Sequence, residues 1–338
     1  MFLFNSNKLF FILIILTSTL ISISSNSWLG CWIGLEINLL SFIPLISNTK
    51  NLMASEAALK YFLVQSIASI NFIFFVLMSF LIMNMFYNNN ILTIFINSSL
   101  IMKMGAAPLH FWFPNIIEGM TWMNCLLLMT WQKISPMILL SYMYNINFLI
   151  LITIISAMVG AIGGLNQFSL RKILVFSSIN HISWMIMALM ISENLWNFYF
   201  ITYSFLMLTI CYIFYMMNCS HLNQIYFLNM NNTFKIIFFL NFLSLGGLPP
   251  FMGFLPKWMI INFMLQNNMI FIMFILLMSA LITLFFYLRI TYSSLLFSMI
   301  SKKWFMFIMN IKNNMMSTIM SMISIMGLIF TTMTFHLF

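Results

Sequence analysis

Lys103, Lys133 and Lys257 each sit inside an apolar run long enough to cross a bilayer, in a chain with four Glu and no Asp. An ionisable side chain at membrane depth is costly and marks an ion or proton path by default. Glu36 lies in the middle of another such run, in Gly34-Leu35-Glu36-Ile37-Asn38. A lone carboxylate there would simply take up a proton, so Glu36 calls for a cationic partner, and Lys103 is the candidate. His181 occupies the equivalent place in the second half of the chain, and His110 follows Pro108-Leu109. Each His can relay a proton or serve as a hydrogen-bonded packing residue.

Proton exchange is the chemistry this set can do. Moving a proton against about 180 mV costs roughly 4 kcal/mol, at about 2.3 kcal/mol per 100 mV. A swing of about three in the pKa of a buried lysine is worth the same, and a change of hydration or of a counter-ion can produce it. Haem ligation would need paired His on facing helices, which four scattered His do not supply. Glu56 and Lys60, spaced i,i+4, read as a local ion pair. The four Cys show no CxxC spacing and read as buried thiols.

The elements that must position these groups are membrane helices. The chain is 63% hydrophobic and 5% charged, with a mean hydropathy of +1.06, too little polar surface for a soluble globule. A net charge of +9 could suggest nucleic acid, but the basic residues are scattered singly and form no basic face. At about 20 residues per span, about eleven helices are expected, near 8–25, 27–47, 55–83, 91–115, 120–143, 148–166, 171–191, 195–217, 235–265, 270–292 and 314–336. Alternate assignment of the loops puts Lys8, Lys50, Arg171, Lys172, Lys235, Lys302, Lys303 and Lys312 on the side of the N-terminus, a positive-inside pattern. The N-terminus is then expected in the matrix or cytoplasm and the C-terminus on the opposite side. Lys8 with the apolar stretch after it is expected to be a mature first helix rather than a cleaved leader. Heavy use of Met, Ile, Phe, Leu and Asn suggests an A+T-rich, organelle-encoded origin.

Two expected spans carry helix breakers. The fourth holds Gly105 and Pro108; the ninth holds Gly246-Gly247-Leu248-Pro249-Pro250. Proline inside a helix frees backbone groups, which membrane proteins tolerate only in protein-lined cavities. Either these are ordinary proline kinks or they mark two five-helix units of inverted topology, 8–143 and 148–292, each with a broken fourth helix; 314–336 is then a C-terminal helix. A Lys beside each break favours the repeat. The expected fold is an all-α polytopic membrane protein in a single membrane domain, 1–338.

Several stretches carry a family likeness: Gly34-Leu35-Glu36-Ile37-Asn38, the run from Lys103 through GAAPLHFWFP, TWQKISP, GAIGGLNQFSLRK, SSINHISW and FLSLGGLPPFMGFLPKW. Together they resemble the antiporter-like membrane-arm subunits of mitochondrial NADH:ubiquinone oxidoreductase, respiratory complex I, and the composition resembles an arthropod mitochondrial product. The resemblance implies proton translocation across the mitochondrial inner membrane through Glu36, Lys103, Lys133 and Lys257, with His181 near the hydrated axis. It implies no redox cofactor in this chain, with FMN, iron–sulfur clusters and ubiquinone on other subunits. It also implies partners among membrane-arm and accessory subunits and lipids such as cardiolipin, and a start about three helices later than in bacterial relatives. Two rivals stay open at this point: a stand-alone cation/proton antiporter, against which the scarcity of carboxylates argues, and a structural spacer that pumps nothing.

Overall fold

The computed structural model describes residues 6–48, 51–82, 90–226, 232–297, 321–325 and 327. Every regular element among the described residues is a helix; Ser169 and His221 form an isolated antiparallel bridge between two loops. In chain order the helices are α1 (Ser6–Ser24), α2 (Trp28–Ile46), α3 (Leu52–Ile82), α4 (Asn90–Met104), α5 (Trp112–Ile117), α6 (Trp122–Met129), α7 (Ile134–Tyr142), α8 (Ile146–Gly164), α9 (Leu170–Ile191), α10 (Glu193–Met217), α11 (Leu222–Tyr226), α12 (Asn232–Gly246), α13 (Phe254–Gln266) and α14 (Ile270–Phe297). In lipid every backbone group must be bonded within the segment, so apolar sequence of this length becomes helix. Local capping sets several ends. Ser27 Oγ accepts from the Gly30 N–H at 3.2 Å to start α2, Ser192 Oγ accepts from the Leu195 N–H at 3.3 Å to start α10, and Asn218 at φ +52° ends α10.

Seven of the described helices are long and apolar enough to cross a membrane: α1, α2, α3, α8, α9, α10 and α14. The spans expected at 91–115, 120–143 and 235–265 are instead interrupted helices, for reasons given below. The helix expected at 314–336 falls mostly outside the described residues, where only 321–325 and 327 are seen as helical. Lys50, Lys302, Lys303, Lys312 and His336 also lie outside them.

The chain divides into two compact units, Met1–Ile152 and Thr153–Phe338. In the first, α1 packs on α2, α2 on α3 and α3 on α4, with α7 against α1 and α4. In the second, α9 is the interior helix: 94% of its most apolar 18-residue window is buried, against 22% for α1. It touches α10, α13 and α14. Asn180, on α9, is held by α14: its Nδ2 donates to Thr283 Oγ1 at 3.4 Å and its Oδ1 accepts from Ser279 Oγ at 3.2 Å. Lipid tails are as apolar as Leu, so such polar bonds do more to join membrane helices than apolar burial does.

Candidate functional site

The two expected breaks are built alike. At the first, α4 ends at Met104 and Gly105 turns left-handed, φ +74°. The Gly105 N–H reaches Met102 O at 3.3 Å and the Ala106 N–H reaches Ile101 O at 3.3 Å. At the second, α12 ends at Gly246 and Gly247 turns left-handed, φ +79°, with the Gly247 N–H on Ser244 O at 3.1 Å and the Leu248 N–H on Leu243 O at 3.3 Å. Both are glycine-terminated helix ends of the Schellman type, in which the turn-back satisfies two of the last carbonyls. A cis prolyl bond stands three residues after each glycine, at Pro108 and at Pro250. Gly253 then lies so close to the Ser244 carbonyl that a Cβ would overlap it.

The breaks differ in what satisfies the remaining carbonyls. At the first, Trp112 Nε1 donates to Met102 O at 3.1 Å and Gln65 Nε2 donates to Lys103 O at 3.2 Å, both neutral donors. At the second, Lys257 Nζ itself donates to Gly246 O at 2.9 Å. A cation at a helix C-terminus also meets the negative end of the macrodipole.

A third break was not expected. The segment read as one span over 120–143 folds as α6, a 3₁₀ turn at Trp131–Lys133, and α7. Pro136 explains it: a proline has no N–H to give the carbonyl four residues back, so Gln132 O loses its helical donor. The tighter turn aims Lys133, 1% exposed, at the first break, where its Nζ stands over the Phe113 ring, 5.6 Å from the centroid.

Lys103 and Lys133 line one small cavity in the first unit, about 20 Å³, room for about one water. Asn38 of α2, Tyr61 and Gln65 of α3, Gln132 and Ser135 complete the polar part of its wall, and Leu35 and Leu39 of α2 belong to its apolar part. Gln132 Nε2 donates to Asn38 Oδ1 at 2.9 Å, and Tyr61 O–H points to Gln132 Oε1 at 3.5 Å. Ser135 Oγ is buried with no hydrogen-bond partner among the described residues. A polar cavity with several donors and acceptors is a place where ordered water bridges buried groups. Glu36 is half-buried on the same helix as Asn38 and attracts Lys103 electrostatically, but the two do not close to a direct ion pair. The expected pair is therefore a coupling at a distance. Glu56 and Lys60 do form the local pair expected of them, at 2.6 Å and largely exposed. His110 is buried, with Nδ1 3.2 Å from its own turn's Pro108 carbonyl.

In the second unit His181 Nδ1 stands 2.8 Å from the Tyr199 hydroxyl, and its ring lies 5.0 Å from that of Tyr203. Lys257 Nζ lies over the Trp184 ring, 5.8 Å from the centroid. Residues three apart share a helix face, so Trp184 places Lys257 one turn along α9 from His181. The structure thus gathers Lys103, Lys133 and the attraction of Glu36 around one cavity, and brings Lys257 and His181 to one face of α9. Asn38, Tyr61, Gln65, Gln132 and Tyr199 were missed in the sequence; a polar residue one or two positions from an intramembrane charge, as in Glu36-Ile37-Asn38 and Gln132-Lys133, was the available signal.

Residues 25–283 match the family model for the transmembrane region of NADH:quinone oxidoreductase and Mrp antiporter proteins. The chain is also 48% identical to NADH-ubiquinone oxidoreductase chain 2 of Anopheles gambiae and 51% identical to that of Aedes aegypti, covering 98% of each chain in both cases. The chain belongs to the NADH-ubiquinone oxidoreductase chain 2 family. A chain of the solved respiratory complex I from Thermus thermophilus has the same fold, with a TM-score of 0.82 at 21% identity over 94% of this chain and 77% of that one. As a member of the chain 2 family, the protein carries its buried lysines on broken helices in both units. Among the described residues no three His, Cys, Asp or Glu are grouped to hold a metal ion.

Proposed function

We propose that this chain is a membrane-arm subunit of respiratory complex I that translocates protons across the mitochondrial inner membrane, coupled to NADH oxidation and ubiquinone reduction on other subunits. The observation that carries this reading is the cavity shared by Lys103 and Lys133, polar-walled and under the field of Glu36. Two buried ammonium groups in one low-dielectric space repel, so a proton gained by one favours its loss from the other. Glu36 and Lys103 form the input of the path, Lys133 its centre and Lys257 its output, with His181 as a relay and His110 beside the first break. FMN, iron–sulfur clusters and quinone belong to partner subunits, and cardiolipin or similar lipids surround the helices.

The full topology in this reading has eleven spans in two inverted five-helix repeats, 8–143 and 148–292, followed by 314–336, with the N-terminus in the matrix and the C-terminus in the intermembrane space. Seven long helices, three interrupted spans and one further apolar run support that count. The twin Schellman breaks at Gly105 and Gly247 support the repeat.

The test is Lys133→Ala in the assembled complex reconstituted in liposomes, reading protons moved per electron passed from NADH to quinone. A lowered ratio with assembly intact is the expected result. An unchanged ratio would assign the chain to a structural, non-pumping role.

A further inference from the structure

The two buried histidines present Nδ1 to partners of different chemistry. His110 Nδ1 faces the Pro108 carbonyl at 3.2 Å. A carbonyl only accepts, so Nδ1 of His110 must carry a proton to bond there, and that nitrogen is held as a permanent donor. His181 Nδ1 faces the Tyr199 hydroxyl at 2.8 Å. A phenol both donates and accepts, so this contact survives with the proton on either atom.

We infer that Tyr199 is the proton-exchange partner of His181, and that the two form a relay on α9 and α10, with His181 one helical turn from Trp184, the ring that Lys257 Nζ overlies. This rests on the reading of His181 as part of a proton path. Each half of the pair is fixed. Tyr199 is 2% exposed and His181 8%, and the Tyr203 ring packs beside the imidazole, 5.0 Å between centroids. Among the described residues Tyr199 has no second side-chain hydrogen-bond partner, so its hydroxyl is committed to Nδ1. The transfer balances without a further reagent beyond water. A hydrated proton bonds to the Tyr199 oxygen as the existing phenol O–H breaks and its proton forms Nδ1–H; Nε2–H then releases a proton on the far side of the ring to water. Return rotation of the hydroxyl and a proton shift between the ring nitrogens through water restore the start. No tyrosinate is formed at any point.

Tyr199→Phe removes one oxygen and leaves the ring, so packing on His181 is retained. In the complex reconstituted in liposomes, this variant should lower the proton-to-electron ratio as far as His181→Gln does, with the amount of assembled complex unchanged. Infrared difference spectra of the unmodified complex on turnover, with ring-labelled tyrosine, should show paired tyrosine and histidine bands, both lost in Tyr199→Phe. A normal ratio in Tyr199→Phe alongside a lowered one in His181→Gln would overturn the relay while leaving the wider path intact. Normal ratios in both variants would remove His181 from the path altogether, and the relay with it. Should Tyr199→Phe fail to assemble, the unmodified complex still decides: absence of a tyrosine band coupled to the histidine signal would overturn the inference.

Discussion

Lys257 Nζ donates to the carbonyl oxygen of Gly246 at 2.9 Å, so the lysine of the second break closes the end of the helix that precedes it. The contact joins two roles in one side chain. An ammonium there satisfies an orphan carbonyl and faces the negative end of a helix dipole, an arrangement worth about 0.3–2 kcal/mol. A lysine that must give up a proton has to weaken that hold each time.

The roles separate by substitution. Lys257→Arg keeps a donor and a permanent charge but cannot be deprotonated. It should assemble and pass electrons while moving fewer protons per electron. Lys257→Leu leaves the Gly246 carbonyl unpaired in an apolar setting, a loss of about 1–3 kcal/mol, and should lower the amount of assembled complex as well. Blue-native gel quantitation beside the proton ratio distinguishes the two. Normal pumping by Lys257→Arg would leave the residue as a cap only.

Glycine at the two breaks supports a paired comparison. Gly105→Ala and Gly247→Ala both force a side chain into the left-handed region, at about 1–2 kcal/mol each. Their neighbours differ. A Cβ at Gly105 meets the rings of Phe113 and Trp112 at 3.1 and 3.2 Å, whereas one at Gly247 meets Lys257 Cδ and Nζ at 3.0 Å. Similar losses of thermal stability are expected, with a lowered proton ratio larger in Gly247→Ala. Equal ratios would mean that the position of Lys257 is not set by this turn.

Asn38 and Gln132 should be energetically coupled. Their 2.9 Å hydrogen bond ties α2, which carries Glu36, to the turn that carries Lys133. A neutral bond of this kind contributes about 0.5–1.5 kcal/mol. Asn38→Leu, Gln132→Leu and the double variant, compared by thermal unfolding of the assembled complex, should show non-additivity of that size. Additive losses would show that the two amides act independently.

The breaks at Gly105 and Gly247 were legible because Gly and Pro are explicit in the sequence and a membrane leaves few conformations for them. The third break was equally explicit in Pro136 but was hidden by a span whose length and apolarity suited one unbroken helix. Lys103, Lys133 and Lys257 stood out because charge is rare in lipid. Their partners did not, since Asn, Gln, Tyr and Ser recur along the apolar runs of this chain, and only three-dimensional placement tells Gln132 from a surface glutamine. The separation of Glu36 from Lys103 was beyond sequence reasoning for the same cause: helix order does not give the distance between two side chains.

Ser135 is 1% exposed, lines the cavity that the two lysines share and has an Oγ without a hydrogen-bond partner among the described residues. Ser135→Val replaces that hydroxyl with methyl groups, so the wall loses a water-binding group and the space narrows. Added volume in a packed interior costs about 1–3 kcal/mol, which a complex of many contacts tolerates better than an isolated chain does. Electron transfer should persist while protons moved per electron fall, and Ser135→Thr, which adds a methyl but keeps the hydroxyl, should retain more of the ratio. Volume alone predicts equal losses in the two variants, because Val and Thr have nearly the same shape. A difference between them therefore reports the hydroxyl, and with it the need for water between Lys103 and Lys133.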